Sequence, residues 1–128
     1  MASITPVGVM KLQSYTFLAY GTAFVFAPDL MLSLYFNDKV KKERITKLAI
    51  ITCGISYISS CLIFLKTVDK IEPSIQKYIL GINGAVNVGL MLVALSFKDL
   101  YKSSSYKQVF LMQGTFLALN INAYRKLS

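Results

Sequence analysis

Residues 78–97, YILGINGAVNVGLMLVALSF, decide how this chain is read, because they form a long run without a single charge. A bilayer's hydrocarbon core is about 30 Å thick, and roughly 20 helical residues cross it. Three further windows, 12–28, 48–65 and 108–124, are equally free of Asp, Glu, Lys and Arg. Every charge therefore falls in the short stretches between and beside these windows, and only 16% of the 128 residues are charged. A soluble domain carries about 25%. With 55% apolar residues and a mean hydropathy of +0.54, the composition also excludes a disordered chain.

This pattern predicts an all-α integral membrane protein: four antiparallel transmembrane helices in one domain, 1–128. The expected spans are 6–27, 47–66, 74–97 and 106–124. Thr5-Pro6 suits a helix start, with Thr as cap and Pro as first helical residue. Pro28-Asp29 breaks the first helix, and Asp29 is expected to cap the short segment after the break. Residues 29–36 are apolar but too short to span, and are read as an interfacial helix; the alternative is one long helix kinked at Pro28. Pro73 opens the third span. The short connections force neighbouring spans to be antiparallel.

Within 78–97, Gly81, Ala85 and Gly89 recur every four residues and form a small-residue ridge. In lipid such ridges let helix backbones approach closely. Asn83 and Asn87 form a second stripe, about 200° around the helix from Gly81. A helix marked on both sides is expected to lie between two others. Ala19 and Ala23 in the first span, and Ser56 and Ser60 in the second, extend the set of expected packing positions. Gln113 and Asn120 lie seven residues apart in the fourth span, so they share a face. Amides in lipid need partners. Asn83, Asn87, Gln113 and Asn120 are therefore expected to bond between helices, or else to line a polar cavity or ligate a lipid headgroup, quinone or pigment.

Several chemistries are excluded. The chain has no His, which removes His-ligated metals and Ser-His-Asp catalysis. Cys53 and Cys61 lie about 12 Å apart along one helix, beyond the roughly 7 Å a disulfide tolerates. The net charge of +8 does not line one face, as a nucleic-acid binder requires. Instead Lys47, Lys66, Lys77, Lys98, Lys107 and Arg125 border the windows, where cationic side chains reach anionic headgroups. Tyr15, Tyr35, Tyr78, Tyr101, Tyr106 and Tyr124 lie near span ends as an aromatic belt. No titratable carboxylate lies inside a span, so general acid–base catalysis has no candidate. The small four-helix multidrug exporters are similar in length and loop charge, but their intramembrane Glu has no counterpart here.

The expectation is thus a non-enzymatic structural or accessory subunit of a larger membrane complex, of the bioenergetic type. Its partners are other transmembrane subunits and anionic membrane lipids, not nucleic acid. No cofactor or metal is expected; a structural lipid is compatible with the helix surfaces. The first-choice location is the mitochondrial inner membrane, because respiratory complexes hold many small spans without catalytic residues; the endoplasmic reticulum and thylakoid are alternatives. One alternative function is an endoplasmic-reticulum scaffold or lipid-handling protein. The overall layout resembles the four-span scaffold proteins of sterol synthesis, though no motif aligns. A second alternative is a small carrier with an Asn/Gln cavity. Loops one and three carry eight Lys/Arg against six on the opposite side, a narrow bias toward placing those loops inside.

Overall fold

The computed structural model describes residues 4–40 and 42–128; Lys41, one of the loop charges counted above, falls outside them. Five helices account for nearly all of it: α1 Pro6–Phe26, α2 Pro28–Tyr35, α3 Arg44–Thr67, α4 Pro73–Ser96 and α5 Ser103–Lys126. A 3₁₀ turn, Val68–Lys70, follows α3.

The local signals explain most boundaries. The Thr5 hydroxyl accepts the Gly8 N–H at 3.0 Å, and Pro6 occupies the first helical position. At the other end of α1, Pro28 excludes helical geometry for Ala27, and the chain turns through 113° into α2. A straight or gently kinked continuation is therefore excluded. The expected role of Asp29 needs correcting. Ala27 is the cap residue, because Pro28 already takes the first helical position. Asp29 sits in the first turn, where the helix dipole favours an anion, and pairs with Lys47 of α3 at 2.8 Å. The helices α3 and α5 begin at Arg44 and Ser103, three residues before the expected 47 and 106. Both start just after residues with extended backbone, Glu43 and Lys102.

Packing divides the bundle into two pairs, α1 on α3 and α4 on α5. The first pair crosses backbone to backbone at Gly21 and Gly54. A Cβ on Gly21 would stand 2.9 Å from the Gly54 carbonyl oxygen, and one on Gly54 would stand 2.7 Å from that of Gly21. Only glycine fits at this crossing. The ridge of Gly81, Ala85 and Gly89 behaves differently: all three are exposed, and a Cβ on Gly89 would meet nothing within 4 Å. At its start the ridge borders α5, where a Cβ on Gly81 would stand 3.7 Å from the Tyr124 ring, but it is not a close-packed face, and Ala19 is exposed as well. The reason is that the opposite side of α4, carrying Leu80, Gly84, Asn87 and Ala94, is the side turned inward.

Both ends of the bundle are tied. At one end the α2–α3 loop is stitched to the α4–α5 loop. Asn37 N–H donates to Leu100 C=O at 2.9 Å, Lys102 N–H donates to Tyr35 C=O at 3.0 Å, and the Asn37 amide donates to Asp99 C=O at 2.6 Å. At the other end Val9, Met10, Val68, Leu80 and Ala123 form an apolar core. Lys11 pairs there with Asp69 at 2.7 Å, and Lys126 donates to Ile4 C=O at 2.9 Å. These ties make successive long helices antiparallel and bring both described ends of the chain to one side of the bundle.

More large apolar side chains are exposed than buried, while Gln13, Asn87, Gln113 and Asn120 are all inside. That inverts the arrangement of a water-soluble fold and suits an apolar solvent. By length and composition two helical stretches are able to cross a membrane, Arg44–Lys70 and Pro73–Ser96, and a third if α1 and α2 count as one broken span. The helix α5 falls short of this standard because Gln108, Gln113, Asn120 and Asn122 dilute its apolar residues. Of the four expected spans, two to three thus meet the requirement among the described residues.

Candidate functional site

The centre of the bundle is polar. Asn87 lies about 20 Å along α4, itself about 36 Å long at 1.5 Å per residue, so it sits near mid-depth. Its side-chain oxygen accepts from the Gln13 amide of α1 at 3.2 Å. The Gln13 oxygen in turn accepts from the Asn120 amide of α5 at 3.1 Å. The three side chains are at most 4% exposed. One glutamine thus staples the α1/α3 pair to the α4/α5 pair. Among the described residues, three buried atoms of this region have no hydrogen-bond partner: Asn87 Nδ2, Asn120 Oδ1 and Gln113 Oε1. Each such atom in a dry interior costs about 1–3 kcal/mol.

Of the four amides expected from sequence, Asn87 and Asn120 are joined through Gln13 and Gln113 is buried without a hydrogen bond to them, whereas Asn83 does not join them. It lines a separate groove of about 360 Å³ with Gln13, Ser14, Ser60, Cys61 and Phe64. Gln13 was missing from the expected set. It is the only amide in the window 12–28, and that was the signal that could have found it. Ser56 was expected to join helices, but its hydroxyl donates to Thr52 C=O on its own helix at 3.1 Å. Ala23 is half-buried on α1. Of the expected headgroup anchors, Lys47 is engaged by Asp29 and Lys77 lies 4.9 Å over the Tyr124 ring. Lys66, Lys98, Lys107 and Arg125 are exposed.

Between the amide cluster and the stitched loops lies a second cavity, of about 260 Å³. Its walls come from all five helices and the α4–α5 loop. The rings are set by α1 and α3: Phe17 meets Tyr57 edge-on at 5.6 Å, and Phe24 meets Tyr57 at 6.1 Å. The Tyr35 hydroxyl of α2 donates to that of Tyr20 at 2.9 Å, and Phe36 packs on Tyr101 at 4.8 Å. Gln113 closes the inner end and Cys53 stands exposed at the rim. Tyrosines 20, 35, 57 and 101 thus share one chamber, a grouping that their positions at different span depths concealed in the sequence.

Burial pushes the Tyr101 phenol above its usual 10.0. A folded-state value raised above the unfolded one means the fold favours the protonated phenol. Its stabilisation is therefore complete below pH 10 and is lost as pH climbs past that value. Thermal melts in detergent should be flat on the acid side of this point and decline on its alkaline side. Tyr101→Phe should blunt that decline; an unchanged profile in the variant would remove Tyr101 as its source.

The described residues contain no cluster of three or more His, Cys, Asp or Glu. No family model matches the chain, and neither a curated protein nor a solved structure is significantly similar to it. The site must be interpreted from its own chemistry.

Proposed function

We propose that this chain is a four-span membrane protein acting as a non-catalytic accessory subunit of a larger membrane complex. The fold supports four spans in that α5 buries Gln113 and Asn120 and turns Leu111 and Ile121 outward. The short, sharply turned α2 is then interfacial, lying across the end of the bundle under the stitched loops. The observation that carries the functional reading is the outward ridge of Gly81, Ala85 and Gly89. Small residues on a lipid-facing surface leave a smooth strip on which another subunit's helix can pack closely. The self-bonded triad of Gln13, Asn87 and Asn120 favours a structural role for these amides over a solute path. A bioenergetic complex of the mitochondrial inner membrane remains the favoured setting, on background frequency.

Native purification in mild detergent tests this. The chain should travel within a large assembly; a lone 14.3 kDa species under several mild detergents would overturn the proposal. Reticular staining of a tagged chain would favour the endoplasmic-reticulum scaffold instead. The ridge gives a sharper test, because Gly89 has open space around it. Gly89→Leu should leave the monomer's melting temperature within a few degrees of wild type, since surface changes cost about 0.5 kcal/mol or less. It should nevertheless dissociate the assembly. Leu111→Phe on the exposed face of α5 is the control. Equal effects of the two on assembly would show that the ridge is not the interface.

A further inference from the structure

We propose that the groove between α3 and α4 binds the head of an uncharged lipid carrying a hydroxyl beside a carbonyl, the chemistry of a diacylglycerol or a ceramide. The seam itself is the first observation. The helices α3 and α4 are consecutive, yet they do not pack on one another; each lies against α1 instead. Between them runs the groove of about 360 Å³, with Ser14 of α1 at its floor, Ser60 and Phe64 on the α3 side, and Ile79 and Asn83 on the α4 side. The hydroxyls supply the second observation. Those of Thr16, Thr52, Ser59 and Thr115 each donate to their own helix one turn earlier, which satisfies them among apolar neighbours. Ser14 and Ser60 do otherwise: among the described residues neither hydroxyl has a hydrogen-bond partner, and both line the groove. The Asn83 side chain, equally without a partner, lines it from α4. Ser14 is only 9% exposed, yet its oxygen is not one of the sealed orphan atoms of the interior. It keeps open surface, and that surface belongs to the groove.

Three helices thus direct spare hydrogen-bonding capacity into one space, and in lipid such capacity calls for a partner. Each of the three groups both donates and accepts. No lining residue is charged, so a phosphate or ammonium head has no counter-charge there and is costly to desolvate. A bare acyl chain offers no hydrogen bond, and a lone carbonyl offers no donor. A hydroxyl beside a carbonyl brings a donor together with acceptors on two oxygens, enough for one head to reach all three side chains. Access points the same way. Ser14, Ser60 and Asn83 lie about 10–15 Å in from the same end of the bundle, at 1.5 Å per residue. At that end Phe64 and Ile79 pack on the apolar core of Val9, Met10, Val68 and Leu80, which closes the way down from water. Ser60 is exposed on the outer side, so entry is sideways from the bilayer, the route open to a lipid. The volume lies at the low end of the roughly 300–1,000 Å³ of small-molecule sites, room for a head whose chains stay in the bilayer. Asn83 is on the side of α4 away from Gly81, so the proposal stands apart from whether the ridge holds a partner.

The test uses the full chain in phosphatidylcholine nanodiscs, with empty nanodiscs as background and two tritiated probes, dioctanoylglycerol and octanoyl-ceramide. One saturable site per chain is expected, and the tighter of the two probes identifies the source of the head. The O-methylated form of that probe, which cannot donate, should bind about tenfold more weakly, in line with the loss of one hydrogen bond. Ser14→Ala and Ser60→Ala should each weaken binding by a similar factor and leave the melting temperature unchanged, because neither hydroxyl bonds within the chain. Ser59→Ala is the control: its hydroxyl bonds back to Ile55 C=O, and binding should match the wild type. Ser60→Phe, at the exposed rim, should fill the groove and abolish binding in a folded chain. Equal affinity of the probe and its methylated form would overturn the proposal and leave water as the partner of Ser14 and Asn83. Absence of saturable binding, equal binding of phosphatidic acid, or unchanged binding in both alanine variants would also overturn it.

Discussion

Gly54→Leu should separate α1 from α3 and produce the largest loss of stability of any single substitution in the chain. Even an alanine Cβ at this position would stand 2.7 Å from the Gly21 carbonyl oxygen and 2.8 Å from Val25 Cγ2. The first neighbour is backbone, so relief requires the whole helix to move. Overpacking of this kind costs about 1–3 kcal/mol. Gly54→Ala recovers about 1 kcal/mol of that through its better helix propensity. Leucine adds three more carbons to the same clash, and its cost should lie at or beyond the top of the range. The readout is Cys61, buried on the same helix. Its alkylation by a maleimide should be slow in the wild type and fast in Gly54→Leu. Gly114→Leu, where a Cβ meets nothing within 4 Å, should leave Cys61 protected. Comparable exposure of Cys61 in both variants would show that the glycine crossing does not hold the pair together.

The second large effect is expected at Gln13. Its side chain is shared between Asn87 and Asn120, so Gln13→Leu orphans an acceptor on α4 and a donor on α5 together. Interhelical hydrogen bonds in membranes average about 0.6 kcal/mol and reach about 1.7. Two lost at once, with buried amides left behind, give an expected loss of about 1–3 kcal/mol. The diagnostic variant replaces all three residues. With Gln13, Asn87 and Asn120 each changed to Leu, no unpaired amide of the triad remains, and most of the lost stability should return. Melting temperatures in one detergent compare them. If the triple variant is less stable than Gln13→Leu, the amides act as more than mutual partners.

These two sites differ in how visible they are before folding. The charge-free windows, Thr5-Pro6, Pro28 and Pro73 place the helices to within a few residues, since bilayer length and proline geometry act locally. The Gly21–Gly54 crossing gives no such signal. Each is an isolated glycine in its own window, and only the meeting of two helices makes them a pair. Gly81, Ala85 and Gly89 stand out by their repeat, yet a repeat marks a face of a helix and says nothing about what covers it. In the folded chain that face is exposed. The Ser56 hydroxyl resembles interhelical glue in the sequence, but it bonds back to its own helix one turn earlier, as do those of Thr52 and Ser59. Asn87, Gln113 and Asn120 are legible because buried amides must find partners. Their counterpart Gln13 is marked only by being the single amide of its window, close to Lys11 at the window's edge. The aromatic cavity is hidden for a similar reason: its walls are drawn from every helix, and a sharp turn at Ala27 brings the rings of α2 back over those of α1.

The span of the Gln13 bonds along the chain has a consequence for synthesis. Gln13 emerges early, but its partners lie 74 and 107 residues later. While α1 and α3 are already able to close on their glycines, the glutamine has no hydrogen-bond partner in either, and the half-made product carries an unpaired amide. Asn87 accepts from its amide nitrogen once α4 is in place, and Asn120 of α5 then donates to its oxygen. The bundle therefore carries a mark of incompleteness that α4 and α5 erase in turn, and a chain truncated before Asn87 would display it in full.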